Sequence, residues 1–296
     1  MPHASLRPRD VAIHLGLFVA CCVTTYLTGG VYFAATLMGI LVCHEAGHYF
    51  VGRYHQIDVS PPYFIPLPPM ISLGTLGAVI RMDKPITDRN QLFDVGAAGP
   101  IAGLVVAVPL LAIGLSMSEI GPPQPDSMIE GNSVLYILLK LAVFGRYLPN
   151  GNEDVILHPM ALAAWVGLLV TMINLLPLGQ LDGGHVARAA LGDRHEAWSA
   201  RLHVVLPIIG LAAGTVMFFL ARDAGRDVAG SLRYAIYGIA PWGTWALLLW
   251  AMKSRAGEYH PAVGEVPLDR RRHRQAIFVA IVFALIATPV PFRPVL

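Results

Sequence analysis

Two histidines and one glutamate lie close together in the stretch LVCHEAGHYF, at residues 41–50. Side chains four positions apart lie on one face of a helix, so His44 and His48 can bind the same metal ion. Glu45 is displaced around the helix from His44, and it can reach a metal-bound water without binding the metal itself. This His-Glu-x-x-His spacing is typical of zinc metalloproteases and predicts metal-assisted hydrolysis.

A catalytic zinc site needs a third protein ligand, because such sites take three protein ligands and one water. The best candidate is Asp182, in the stretch NLLPLGQLDGGH at residues 174–185. Pro177 and the neighbouring glycines break a helix there, and broken helix at membrane depth occurs only where it lines a cavity or packs on protein. An Asp-Gly pair also ends helices as a simple turn. The predicted depth of Asp182 favours the ligand interpretation, and His185 is interpreted as a loop or outer-sphere residue.

The composition places these residues in a membrane protein. Of the 296 residues, 55% are hydrophobic and only 14% are charged, and the mean hydropathy is +0.58. A soluble domain carries about 25% charged residues. The net charge of +2 is too small to indicate a nucleic-acid partner. The three cysteines all lie in apolar runs, so no disulfide framework is predicted.

Six apolar runs are long enough to cross a bilayer: 11–30, 32–51, 94–116, 158–178, 202–221 and 233–252. A seventh, 276–290, is short for a crossing. Another short run, 133–145, carries Lys140 and is interpreted as an interfacial helix. The predicted fold is therefore an all-α polytopic membrane protein with six transmembrane helices, or seven if 276–290 crosses. We expect a single membrane-embedded domain over residues 1–296.

The basic residues of the loops predict the orientation. Placing Arg7 and Arg9 in the cytoplasm puts most of the loop lysines and arginines there too, as the positive-inside rule requires. This orientation puts the His-Glu-x-x-His stretch near the cytoplasmic face. The basic run DRRRHR at 269–274 is interpreted as a topology signal or a contact with anionic lipid. Arginine outnumbers lysine and no organelle-targeting segment is evident, so we expect a bacterial or archaeal plasma membrane.

The connection between the second and third spans has an unusual sequence. Its first half, SPPYFIPLPPM at 60–70, cannot form a regular helix because of its prolines. Its second half, LGTLGAVI at 73–80, is short, apolar and glycine-bearing, and such a strand can pair with an extended substrate. A connecting loop that dips into the protein explains the same residues equally well. In the third span, Gly99 and Gly103 form a G-x-x-x-G pair, which predicts close helix packing.

The motif HEAGH in one span and N-x-x-P-x-x-x-L-D-G in a later one resemble the site-2 protease family of intramembrane zinc metalloproteases. The resemblance covers a core of about 32–190, and about 202–290 adds further C-terminal spans. It implies one zinc per chain, with Glu45 as the catalytic base. The zinc ligands that it implies are His44, His48 and Asp182.

Further segments carry the same resemblance. Residues 74–82, GTLGAVIRM, resemble the family's re-entrant strand region, and 93–103, FDVGAAGPIAG, resemble its third core helix. Asn174 matches the asparagine to which a substrate-backbone or oxyanion role is given. No PDZ or CBS module is visible, so the chain resembles a minimal core form. The implied substrate-binding residues are Asn174, Gly74, Thr75 and Gly77.

The implied function is intramembrane proteolysis: a metalloendopeptidase that cleaves transmembrane segments of membrane proteins. Its partners are a transmembrane substrate and the lipid bilayer, and the sequence does not predict an oligomeric state. One alternative is a metal transporter, in which intramembrane His and Asp line an ion path. Another is an inactive relative that binds membrane proteins. A transporter does not need Glu45 beside His44 and often has internal repeats, which we do not find; an intact Glu45 also disfavours the inactive relative.

Overall fold

A computed structural model describes residues 8–69, 73–82, 84–124, 127–150 and 153–295. These residues are mostly helical and also form six short strands. The helices are α1 Pro8–Tyr54, α2 Arg89–Ser116, α3 Val134–Phe144, α4 Pro159–Asn174, α5 Asp182–Leu191, α6 Arg194–Asp223, α7 Val228–Ala256 and α8 Arg270–Ile286. The strands are β1 Tyr63–Pro66, β2 Thr75–Val79, β3 Glu119–Gly121, β4 Met128–Glu130, β5 Asp154–Ile156 and β6 Phe292–Pro294.

Helix α1 is broken in the middle by two glycines. Gly29 has φ −145° and ψ 15°, and Gly30 has φ 76° and ψ −171°, so neither residue is helical. The positive φ of Gly30 is a conformation that glycine adopts without steric cost. We name the two parts α1a (8–28) and α1b (31–54). They correspond to the first two predicted spans.

Helices α1a and α1b run in opposite directions. Strands β1 and β2 form an antiparallel hairpin after α1. Near the start of α1a, Nδ1 of His14 lies 3.0 Å from the carbonyl oxygen of Pro62. Near the end of α1b, a Cβ on Gly52 would lie 2.9 Å from Val59. Pro62 and Val59 both lie at the open end of the hairpin, so the first residues of α1a and the last residues of α1b lie at the same end of the molecule.

Four helices of the described residues are long and apolar enough to cross a membrane: α1, α2, α6 and α7. The apolar helix α4 is the predicted span 158–178, but its helix is 16 residues long and ends at Asn174. The short run 276–290 falls in α8, which ends at Ile286. The all-α prediction is corrected by the six short strands, whereas a mostly helical chain with long apolar helices, as in an integral membrane protein, is confirmed. The exact number of crossings stays a prediction.

At one end of the helices, the chain between α2 and α4 folds with the C-terminal residues into a small cap. Strand β3 pairs with β5, and β4 pairs with β6. The cap buries Lys140, whose Nζ lies 3.3 Å from Oδ1 of Asp154 and 3.6 Å from Oε1 of Glu130. Burial raises the pKa of the Glu130 carboxyl, and the nearby Lys140 opposes that shift. Two carboxylates thus hold the Lys140 ammonium inside the protein, and the interfacial position of the helix at 133–145 stays a prediction.

Helix α2 is the central helix of the molecule. It packs against α1, α4 and α5, whereas α6 and α7 pack mainly on each other.

At the end of the molecule opposite the cap, Arg272 of the predicted basic run donates from Nε and Nη2 to the Asp94 carboxylate of α2, at 2.7 and 2.6 Å. Nε2 of His55 lies 2.8 Å from the same carboxylate. Arg272 thus binds protein, and it joins the ends of α1, α2 and α8.

Candidate metal centre

The three predicted ligands meet between α1b and α5. Nε2 of His44 lies 3.1 Å from Oδ2 of Asp182, and Nε2 of His48 lies 3.3 Å from Oδ1 of the same carboxylate. The two histidine Nε2 atoms are 3.1 Å apart. In the part of the chain that the structure describes, this is the one group of three His, Cys, Asp or Glu residues whose ligand atoms are close enough to share a metal ion.

The spacing of these atoms fits zinc. Tetrahedral zinc with bonds of about 2.0–2.1 Å separates its ligand atoms by about 3.3–3.4 Å. The two imidazole Nε2 atoms are 3.1 Å apart, and each lies 3.1 or 3.3 Å from a different oxygen of the Asp182 carboxylate, which is close to that edge length. Two imidazole nitrogens and one carboxylate oxygen form a donor set that catalytic zinc sites use. The residues present therefore fit the metal that the sequence predicts.

A backbone carbonyl fixes the orientation of His48. Its Nδ1 lies 2.8 Å from the carbonyl oxygen of Val95 on α2. A carbonyl oxygen only accepts hydrogen bonds, so Nδ1 carries the proton and Nε2 presents a lone pair. Hydrogen bonds of this kind orient metal-binding histidines in general. No sequence pattern indicated this contact, because Val95 is an ordinary apolar residue of a predicted span.

The G-x-x-x-G pair of α2 lies directly against the two histidines. A Cβ on Gly99 would lie 2.0 Å from Nε2 of His48, and one on Gly103 would lie 3.3 Å from Nδ1 of His44. The predicted close packing at these glycines is confirmed. The space that they leave open is occupied by the imidazoles of the metal centre.

Asp182 is positioned by a tight turn between α4 and α5. Helix α4 ends at Asn174, and Asp182 is the first residue of α5. The turn brings backbone close to the next two residues: a Cβ on Gly183 would lie 2.1 Å from the Leu175 carbonyl oxygen, and one on Gly184 would lie 2.2 Å from the carbonyl oxygen of the turn's Gly179. The predicted helix break is present, and the glycines after Asp182 are needed for its packing.

A cavity of about 210 Å³ opens onto the three ligands. Glu45 lines it and is only 4% exposed. Asn174 lines it as well, with Nδ2 3.4 Å from Nε2 of His44. The structure therefore brings the predicted ligands, the predicted base and the predicted asparagine together in one buried space.

The predicted substrate-binding residues of β2 lie outside the lining of this cavity. Residues 78–80 line it, at the open end of the hairpin. Gly74, Thr75 and Gly77 lie further along the strand, and the Gly74 carbonyl accepts a hydrogen bond from the Thr24 hydroxyl of α1a at 2.6 Å. The part of the strand that faces the ligands is therefore 78–80.

Two further residues of the lining are His185, the last residue of the stretch 174–185, and Met252. His185 lies on α5, and Met252 lies near the end of α7. Nδ1 of His185 is 2.7 Å from Nε2 of His260, which follows α7 in the sequence. His260 is separated from His185 by 75 residues, and no spacing rule connects them. No pattern in the sequence indicated a role for His260.

A buried pair of histidines, a carboxylate and an adjacent glutamate, set among apolar helices, form the kind of site that zinc metalloproteases use. The chain belongs to peptidase family M50, the site-2 protease family, whose sequence model matches residues 32–217. This match confirms the resemblance that the motifs indicated. No solved structure matches the chain significantly.

Several curated relatives are named as probable zinc metalloproteases. The chain is 36% identical over 165 residues to probable zinc metalloprotease EGY1, chloroplastic, of Arabidopsis thaliana, over 53% of this chain and 29% of that protein. It is 32% identical over 199 residues to probable zinc metalloprotease EGY2, chloroplastic, of Oryza sativa subsp. indica, over 65% of this chain and 35% of that protein. The chain thus spans about a third of the length of these relatives. Their names and the donor set both indicate zinc.

The same names bear on location. These relatives are chloroplastic plant proteins, so they do not support the expected bacterial or archaeal plasma membrane. Membership of family M50, together with the four long apolar helices, supports the broader statement that the chain is an integral membrane protein.

Proposed function

We propose that the chain is an intramembrane zinc metalloendopeptidase that cleaves transmembrane segments of other membrane proteins. One observation carries the proposal: a His-His-Asp set that could hold a metal ion and the buried Glu45 line one cavity among apolar helices. Ionisable groups are costly in such surroundings and are retained for function.

The residues of the cavity divide the chemistry of hydrolysis between them. His44, His48 and Asp182 would hold zinc, which would supply Lewis-acid chemistry: a lower pKa for a bound water and a polarised carbonyl. Glu45 takes a proton from the attacking water and returns it to the leaving amine. Asn174 donates from Nδ2 to the oxygen on which negative charge develops. The low exposure of Glu45 keeps bulk water away from this proton transfer.

The substrate is a helix that must unwind before it is cut, because a transmembrane helix hides its carbonyls in internal hydrogen bonds. Strand β2 pairs with β1 on one side, and its residues 78–80 line the cavity. An extended polypeptide added beside these residues would place its backbone at the metal ligands. In this proposal the β1–β2 hairpin is the re-entrant element, and the positive-inside bias puts the metal centre near the cytoplasmic face.

Metal content and cleavage of a membrane-spanning substrate test the proposal together. Purified protein should hold about one zinc per chain. Asp182→Ala should lower both the zinc content and the cleavage rate, since a ligand is lost. The matched control is Asp58→Ala, which removes an exposed carboxylate and should change neither. Full zinc and full activity in Asp182→Ala would show that the third ligand is a different residue.

A further inference from the structure

The His185–His260 pair at the cavity wall has no role in the mechanism above. His185 lies three residues after the ligand Asp182 and lines the cavity. Its Nδ1 is 2.7 Å from Nε2 of His260. Because Nδ1 is occupied by this contact, Nε2 is the nitrogen of His185 that is left for a molecule in the cavity.

The hydrogen bonds of His260 determine which nitrogen of His185 carries its proton. Nδ1 of His260 lies 2.9 Å from the Pro261 carbonyl oxygen, which only accepts, so this Nδ1 is protonated. Burial lowers the pKa of His260, so the ring is neutral near pH 7 and its Nε2 is an acceptor. Nδ1 of His185 must then be the donor between the two rings. Nε2 of His185 consequently carries no proton and is a hydrogen-bond acceptor.

His260 is held in place from both sides. The backbone N–H of Tyr259 donates to the Glu196 carboxylate of α6, at 3.1 and 3.2 Å to its two oxygens. The backbone N–H of Gly264 donates to the Thr87 carbonyl at 2.8 Å, just before α2. The side chain of His260 is only 4% exposed. The family match ends at residue 217, so residues 259–264 lie outside the region that it covers.

A bound polypeptide presents backbone N–H groups as well as carbonyls. In the proposed mechanism, the metal and Nδ2 of Asn174 would interact with the oxygen of the reacting carbonyl. Neither of them can accept a hydrogen bond from a backbone N–H. A backbone N–H that enters the cavity loses water and needs an acceptor, because an unsatisfied buried donor is costly. Among the cavity residues, His185 offers a neutral acceptor that no ligand role uses.

Resting on the proposed peptidase function, we propose that His185 contacts the substrate: its Nε2 accepts a hydrogen bond from a backbone N–H of the polypeptide in the metal cavity. His260 is the positioning residue that holds His185 in the required tautomer. The same contact fixes the depth at which the substrate lies beside the ligands.

Paired substitutions at His260 test the tautomer directly. In His260→Gln the amide oxygen takes the place of Nε2 and can accept from His185, whereas His260→Leu offers no acceptor. We expect His185→Leu and His260→Leu to keep about one zinc per chain and to lose about threefold to tenfold in kcat/KM, the effect of one hydrogen bond. Most of the loss should appear in KM, and His260→Gln should regain most of the activity.

The matched control is His203→Leu. His203 also packs near Tyr259, with ring centroids 5.9 Å apart, but does not line the cavity. It should leave zinc and kinetics unchanged. The full chain is assayed on a membrane-spanning peptide, with zinc measured on the same samples.

Three results overturn the inference. Loss of zinc in His185→Leu would place its role at the metal, and unchanged kinetics in that variant would remove the substrate contact. Equal impairment of His260→Gln and His260→Leu would make the segment merely structural. A wild-type protein that holds zinc yet cleaves no faster than Glu45→Gln would instead remove the peptidase proposal itself, and this inference with it.

Discussion

The imidazole of His48 is held from two sides, and neither side could be predicted from its own motif. The Val95 carbonyl fixes its protonated nitrogen, and Gly99 provides the space for its ring. The spacing of His44, Glu45 and His48 was predictable, because helix geometry alone puts four-residue neighbours on one face. Contacts from α2 depend on how two helices pack, and the sequence predicted only that they pack closely.

Gly99→Ala tests this packing at the level of one methyl group. Its Cβ would lie 2.0 Å from Nε2 of His48, so the ring must move away from the metal position. We expect zinc affinity to fall about 10–100-fold, the loss that is typical when a group orienting a ligand is disturbed. The control is Gly39→Ala, on α1b, where a Cβ meets nothing within 4 Å. Metal titration of the two purified variants measures the difference, and equal affinities would contradict the packing argument.

At the scale of elements, the sequence predicted one half of the β1–β2 hairpin as one of two interpretations and did not predict its register. The prolines of 60–70 excluded a helix, and the short apolar run after them fitted a strand and a connecting loop equally well. Which residues of β2 face the ligands depends on pairing with β1, whose register shifts between Phe64 and Pro66. The substrate-binding residues predicted from the sequence, Gly74, Thr75 and Gly77, therefore differ from 78–80, which line the cavity.

A photo-crosslinking amino acid placed on β2 tests where the substrate lies. Val79 and Leu76 are both exposed, at 52% and 60%, but only Val79 lines the cavity. With cleavage blocked by Glu45→Gln, a crosslinker at 79 should capture the substrate several-fold better than one at 76. Mass spectrometry of the crosslinked peptide gives the measurement. Stronger capture at 76 would move the substrate path to the other end of the hairpin.

At the scale of the whole molecule, hydropathy located the apolar helices, and charge predicted their orientation. The break in α1 falls between the first two predicted spans, where glycines interrupt the apolar sequence. The burial of Lys140 was not predictable, since its partners Glu130 and Asp154 come from separate strands of the cap. At the end of the molecule that holds the metal centre, Arg272 of the C-terminal part of the chain donates to Asp94 of α2. The sequence had predicted a topology signal or a lipid contact for this residue.

Cysteine labelling in intact membranes tests the orientation. The base protein has Cys21, Cys22 and Cys43 replaced, because all three are free thiols. The side chain of Asp193 is 95% exposed at the end of the molecule that holds the metal centre. A cysteine at this position should react with an impermeant reagent only from the cytoplasmic side. A cysteine at the exposed Glu119 of the cap should react only from the other side. The reverse pattern would overturn the cytoplasmic placement of the metal centre.

The central claim is that Glu45 moves protons at a metal that other residues hold, and Glu45→Gln tests it most directly. Glutamine keeps the shape of the side chain and cannot act as a base. We predict that the variant retains about one zinc per chain, because the ligands His44, His48 and Asp182 are intact. Cleavage of a membrane-spanning substrate should fall about 10²–10⁴-fold. A variant that holds zinc and still cleaves near the wild-type rate would contradict the account, because a different group would then have to act as the base.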